Sequence, residues 1–210
     1  MDQHRFLIWR NGKLGNTIVA IPFILSLRRQ FPESRITVIV EELGRDLLAC
    51  FPEINELVVY EKRRQHRSIR AHIKFIRELR ARQFTHSIHL KRFFRNGFLA
   101  WCARIPHRIG FATHGKAPFL TASMPYSDDK NLVTQAVSLL PLLGAAIPVK
   151  TAYAFYAQYD EVLHARRFLQ EQRIEEKQYA LIHCGRSTAS ARRIPAAAFR
   201  NVARHIRKEL

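Results

Sequence analysis

Residues 6–31, FLIWRNGKLGNTIVAIPFILSLRRQF, restrict the fold more than any other stretch of the chain. A short apolar run meets a loop with two glycines, and a helical pattern starts directly behind it. Phe6, Leu7, Ile8 and Trp9 read as a buried strand, being apolar, β-prone and few. Gly12 and Gly15 let the backbone turn without a Cβ penalty and approach whatever binds there. Asn16 reads as the N-cap of the helix, after which Ile18, Ile21, Leu25 and Leu27 face a core at helical spacing. Pro22 frees the carbonyl four residues back and should bend that helix. Strand, glycine loop and helix start together predict a site at the carboxyl edge of a parallel sheet, where free amide N–H groups favour anionic oxygens.

The rest of the sequence keeps to the same alternation. Strands are expected over residues 36–40, 57–60, 86–90 and 105–111, the last closed by Gly110. Short helices are expected over 45–50 and 98–103, and a longer one over 132–143 ending at Gly144. Around residues 68–82 a basic amphipathic helix places Ile69, Ile73, Ile76 and Leu79 on one face, with Arg67, Arg70, Lys74, Arg77 and Arg80 on the other. That face is either solvated or attracted to an anionic membrane surface. Residues 115–130 read as loop. A helix over 160–172, a strand over 179–183, a Gly/Ser/Thr loop over 184–191 and a helix from Pro195 to the last residue follow. Strands alternating with helices predict a Rossmann-like, doubly wound parallel α/β sheet. YALIHCGRSTAS repeats the plan of FLIWRNGKLGNT, as though a second such domain begins there.

Charge narrows the partners. With 35 Lys and Arg against 17 Asp and Glu in 210 residues, the net charge is +18, which implies phosphates, acidic lipid or nucleic acid. Cys50, Cys102 and Cys184 lie far apart with no metal-ligand spacing, so they read as buried reduced thiols, and no metal site is expected. The first apolar run is too short for a signal peptide and is followed by Arg10 and Lys13, and no stretch is long enough to span a bilayer. The expected location is the cytoplasm, with any membrane contact peripheral.

Three stretches in order then resemble glycosyltransferase family 9, the ADP-heptose:lipopolysaccharide heptosyltransferases. They are RNGKLGNTIVAIPFILSLRRQFPESRITVIV, IPHRIGF with its preceding helix, and HCGRSTASARRIPAAAF. The resemblance implies a GT-B fold, two Rossmann-like domains across a cleft, of which the second is incomplete here. On that reading residues 1–158 form the acceptor-side domain, 159–178 a linker helix, and 179–210 the first βα unit of the nucleotide-sugar domain. It also implies inverting transfer of heptose from an ADP-sugar to an acidic, phosphorylated lipid core. No metal or other cofactor is implied, the nucleotide sugar being a substrate.

The family places an aspartate directly after the loop glycine, as the base that takes the acceptor proton. The matching position here is Asn16, whose amide cannot accept a proton at neutral pH. Glu41 and Glu42, after the second strand, read either as carboxylates near the cleft mouth or as loop surface charges. Arg192 stands at the family's lysine position, which meets donor phosphates, and keeps the charge with bidentate geometry. Gly185, Ser187 and Thr188 fit a phosphate loop on the same side. Lys13, Gly15, Lys91, Arg92, Arg95 and Arg108 are the acceptor-side candidates, as loop residues or neighbours of strand ends.

Three other readings compete with a glycosyltransferase. With Asn16 at the base position, the chain also fits a module that binds anionic glycolipid or a partner without turnover. A nucleic-acid binder would use the charge, but the aromatics sit in core-like runs instead of on a basic stripe. A nicotinamide dehydrogenase would need GxGxxG, which the loop lacks.

Overall fold

The computed structural model describes residues 4–10, 12, 14–60, 68–92, 94–112, 117–175, 179–182 and 195–209. The chain divides into two compact units, Met1–Tyr156 and Ala157–Leu210. In the first unit the order is β1 (Arg5–Trp9), α1 (Leu14–Gln30), β2 (Arg35–Val40), α2 (Glu42–Leu48), β3 (Glu56–Val59), α3 (Ile69–Ala81) and β4 (His86–His89). After these come α4 (Phe94–Cys102), β5 (His107–Ala112), β6 (Ala122–Pro125), α5 (Leu132–Val137) and a 3-10 turn, Leu140–Leu143. Six strands pair in the order β3-β2-β1-β4-β5-β6, every pair parallel. The expected doubly wound α/β sheet is therefore present.

Residue alternation along β1 shows why both faces are covered. Phe6 and Ile8 join one core cluster with Ile21, Ile24 and Leu27 of α1, Leu48 of α2 and Val137 of α5. Leu7 and Trp9 point the other way, onto Phe75 and Leu79 of α3 and Leu99 and Ala100 of α4. A strand buried on both faces reads as an unbroken apolar run, which is what FLIW is. Helix α1 is buried beyond the stripe expected for it, including Thr17, Ala20, Pro22 and Phe23, because it packs on both the sheet and α5. It runs through Pro22 without interruption, and Ser26 Oγ donates to the Pro22 carbonyl at 2.7 Å.

Several expectations need correcting. Helix α2 begins at Glu42, three residues before the predicted start, and Ser123 lies in a sixth strand where only loop was expected. That strand is four residues long and half exposed, so it leaves little periodic signal. The helix expected over 132–143 is split into α5 and the 3-10 turn, closed by Gly144 at φ 74° as anticipated. Helix α3 has the expected limits, Ser68 capping it by accepting from the Ala71 N–H. Its buried face differs: Phe75 and Leu79 are inside, whereas Ile69 is 80% and Ile73 45% exposed. The core on that side is made by Trp9, Tyr60 and Phe75 packing edge to face or tilted, which turns the helix toward its aromatic residue. Cys50 and Cys102 are free thiols but only half-buried, not buried as expected, and Cys184 lies outside the described residues.

The second unit carries α6 (Tyr159–Glu171) and α7 (Ala196–Glu209), close to the expected helices. Gln158 and Glu161 close α6 with a reciprocal capping box. The strand expected over residues 179–183 is not formed at Tyr179, Ala180, Leu181 and Ile182, which are irregular and pair with no described strand. A strand is stabilised by a neighbour, and none among the described residues supplies the ladder.

Candidate functional site

Because every pairing is parallel, all six strands present their carboxyl ends along one edge of the sheet. That edge collects Arg10 after β1, Glu41 after β2, Tyr60 after β3, Lys91 and Arg92 after β4, and Tyr126 after β6. Adjacent strands diverging in helix direction at β1 and β4 open the crevice at which such sheets bind ligands. Arg10, Asn16, Lys91, Arg92 and Arg95 surround this position.

Arg10 is the group that sequence reasoning misses. It is 3% exposed and has no carboxylate partner among the described residues. Its Nε donates to the Asn16 carbonyl, Nη1 to the Leu90 carbonyl at 3.2 Å, and Nη2 to Asn16 Oδ1 at 3.4 Å. Burial lowers its pKa to about 10, with the nearby Tyr126 phenol acting in the opposite direction. A buried cation held only by neutral acceptors leaves net positive potential at the edge. An arginine directly after a predicted first strand is the available signal, which the sequence reading uses only to exclude a signal peptide.

Asn16 is not a helix cap. Leu14 and Gly15 are already helical, so Asn16 is the third residue of α1, with its oxygens turned to Arg10. Its amide nitrogen packs on Gly12, where φ is 139° and an added Cβ would lie 2.6 Å from Asn16 Nδ2. Gly12 is thus required by both backbone and space. Gly15, by contrast, lies in the first turn of α1 and not in the loop as expected, and an added Cβ there would meet nothing within 4 Å.

The other cations differ in their surroundings. The Lys91 ammonium is lowered by burial and by the charge of Arg10, while Glu41 opposes the shift. Arg92 lies 4.0 Å from the centre of the Tyr126 ring and donates to Asp128 at 3.2 Å. Arg95, in the first turn of α4, sits 5.4 Å from the Tyr60 ring centre. Burial raises the Tyr60 phenol and Arg95 counteracts it. Glu42 is ion-paired with Arg45, whereas Glu41 has no ion pair among the described residues.

Arg108 does not join this group. It pairs in register with Ser87 near the start of β5, toward the opposite edge. Its donors are spent on the Phe119 carbonyl at 2.6 Å, the Pro106 carbonyl at 3.1 Å and the Ile105 carbonyl. It borders a strand end as expected, but the amino-terminal one, so it braces a connection instead of facing the crevice. Lys13, Gly185, Ser187, Thr188 and Arg192 lie outside the described residues.

A buried polar network underlies the edge. Trp9 Nε1 donates to Ser87 Oγ at 2.9 Å, and Ser87 Oγ is 3.0 Å from His89 Nε2. His89 is 2% exposed, and its Nδ1 has no hydrogen-bond partner among the described residues. Burial, and secondarily the charge of Arg108, depress it to about 3, so the ring is neutral. A pocket of about 490 Å³ lined by Val19, Asn131, Leu132, Thr134 and Tyr153 contains no charged side chain and does not complement an anion.

Comparison with known proteins bears on this edge. A glycosyltransferase family 9 structure from Veillonella parvula superposes with TM-score 0.84 at 24% identity, over 98% of this chain and 60% of that one. An Escherichia coli ADP-heptose LPS heptosyltransferase II superposes with TM-score 0.73 at 16% identity, over 98% of this chain and 62% of its own. A Haemophilus influenzae protein described only provisionally as a glycosyltransferase is 28% identical over 109 residues, 52% of this chain and 31% of that protein. The chain thus spans about 60% of the solved structures and a smaller share of the Haemophilus protein. Residues 72–209 match the sequence pattern of glycosyltransferase family 9 (heptosyltransferase), and the chain belongs to that family.

Proposed function

We propose that the chain is the acceptor-side part of a heptosyltransferase that moves a heptose-like sugar from an ADP-sugar to an acidic, phosphorylated glycolipid. The assembly of Arg10, Lys91, Arg92 and Arg95 at one sheet edge, beside the Gly12 loop, carries this reading. Clustered cations satisfy phosphate and carboxylate oxygens through charge-assisted bonds. We assign residues 1–158 to the acceptor-side domain, 159–178 to a linker that includes α6, and 179–210 to the opening of the donor side, with Gly185, Ser187, Thr188 and Arg192 as its candidate contacts. The location fitting such an acceptor is the cytoplasmic face of the inner membrane.

In an inverting transfer the acceptor oxygen bonds to the anomeric carbon, the ADP oxygen leaves with the bonding electrons, and the acceptor proton passes to a base. Asn16 cannot be that base. Lys91 would hold the anionic acceptor, buried Arg10 would add positive potential beneath it, and Asn16, fixed by Arg10, would orient it. Glu41, whose charge acts on Lys91, is the carboxylate we assign to the proton.

The test uses the protein with ADP-heptose and a phosphorylated lipid A-type acceptor, reading ADP release. Turnover that falls on Lys91→Ala and on Glu41→Gln supports transfer. Acceptor binding without ADP release favours the second reading, a non-catalytic glycolipid-binding module, for which Asn16 is the specific observation. Tight, salt-sensitive binding of oligonucleotides with none of the glycolipid would overturn both.

A further inference from the structure

The surface formed by α4 and its neighbours carries a cluster of outward aromatic rings. Phe94, Phe98 and Trp101 recur at i, i+4 and i+7 and are 64%, 40% and 51% exposed. Phe119, from the connection between β5 and β6, touches all three, with ring centres at 4.8, 5.3 and 5.6 Å. Gly97 faces the same residue, where an added Cβ would make only ordinary contact, 3.4 Å from Phe119 Cβ. Arg108 fixes the same connection by donating to the Phe119 carbonyl. Four rings are therefore built into one outward cluster, not scattered singly, and such patches mark contact surfaces.

Charge selects the occupant. Helix α4 contains no acidic residue, and Arg95 and Arg104 flank its rings. Neighbouring α3 presents Arg70, Lys74, Arg77 and Arg80 to solvent, and Arg80 donates to the Cys102 carbonyl at the end of α4. Exposed Ile69 and Ile73 extend the apolar area along α3. A second copy would set these cations against their own kind, in a chain of net charge +18. The Trp101 indole N–H finds no acceptor among the described residues, as suits a ring at the level of lipid headgroups. Aromatic rings within a cationic border complement an anionic bilayer, whose headgroups attract basic residues near the surface.

We propose that the α4 aromatic cluster, Phe94, Phe98, Trp101 and Phe119, inserts into the interface of an anionic membrane, with the α3 cations holding the headgroups. Phe94 opens α4 directly after the carboxyl edge, so a docked chain would bring the crevice to the bilayer. This takes its biological sense from the glycolipid reading above, yet vesicles without acceptor test it separately, and its failure leaves that reading standing.

The experiment uses the chain with phosphatidylglycerol-containing or pure phosphatidylcholine vesicles, brominated on the upper acyl chain. Trp9 is 1% exposed, so Trp101 is the tryptophan available to the quencher. Expected with anionic vesicles are a blue shift and bromine quenching, both abolished by Trp101→Phe, and about tenfold weaker flotation for Phe94→Ser/Phe98→Ser. Flotation without quenching in the unaltered chain would overturn the proposal, leaving electrostatic adsorption alone. So would the absence of binding to either vesicle, or a dimer in light scattering that dissociates on Phe98→Ser. Should the double variant misfold, quenching in the unaltered chain still decides.

Discussion

Replacing Asn16 by aspartate exchanges an amide for a charge at the centre of the site. Asn16 Oδ1 lies 3.4 Å from Arg10 Nη2, so the new carboxylate would face a cation that is already buried. At an effective dielectric of ~20 the attraction is about 5 kcal/mol. Dehydrating the carboxylate offsets most of it, and Arg10 adds no new cost because it is buried in the parent protein. A net gain of about 1–2 kcal/mol remains, aided by a first-turn anion at the start of α1. Held by Arg10, the introduced carboxyl should ionise below the unfolded aspartate value of about 3.9. The folded pKa being the lower one, the gain is fully present above about pH 4 and lost as pH falls through the folded value. Urea unfolding of parent and variant, followed by tryptophan emission from the first unit, measures the difference at neutral and at acid pH. Inorganic pyrophosphate should also bind the variant more weakly, because the new carboxylate cancels the positive potential that Arg10 lends the edge. A variant no more stable at pH 7, relative to the parent, than at pH 3 would refute the pairing of residue 16 with Arg10.

Gly12→Ala should cost about 1–3 kcal/mol, since φ of 139° is strained for alanine and its Cβ would displace the Asn16 amide; denaturant midpoints read this directly. On α3, Leu79→Ala should destabilise by about 2–5 kcal/mol, whereas Ile69→Ala should change stability by less than about 0.5 kcal/mol. Between pH 6.5 and about 3, the unfolded chain binds a proton that buried His89 refuses, so unfolding free energy should fall with falling pH. The slope contributed is up to about 1.4 kcal/mol per pH unit. His89→Gln should remove about one proton from the pH dependence of unfolding; an unchanged slope would show that His89 is protonated in the fold. His86, lowered to about 4 by burial and by the charges of His107 and His4, should add to the same trend and remain in the variant.

Much of this is legible in the sequence because it is local. An apolar tetrapeptide, a glycine loop and a helix announce a buried parallel strand, and Ser68 fixes the start of α3 whatever it packs on. The position of Lys91, Arg92 and Arg95 beyond β4 follows from chain direction alone. Asn16 reads as a cap because capping chemistry is local, while Arg10, six residues earlier, reaches it only in the folded loop. Arg108 is misjudged because closeness to a strand end does not say which end. Tyr126 escapes notice because β6 is too short to show a period.

Sequence by itself determined the alternation of strands and helices, the cationic character and the family signature, since propensity, spacing and charge are carried by neighbours in the chain. Tertiary structure alone decided that Arg10 is buried with no carboxylate partner among the described residues, that α3 turns Phe75 inward and leaves Ile69 in solvent, and that Phe119 joins the rings of α4. Each of those depends on strand order and on which face a crossover covers, and residues far apart in sequence settle both.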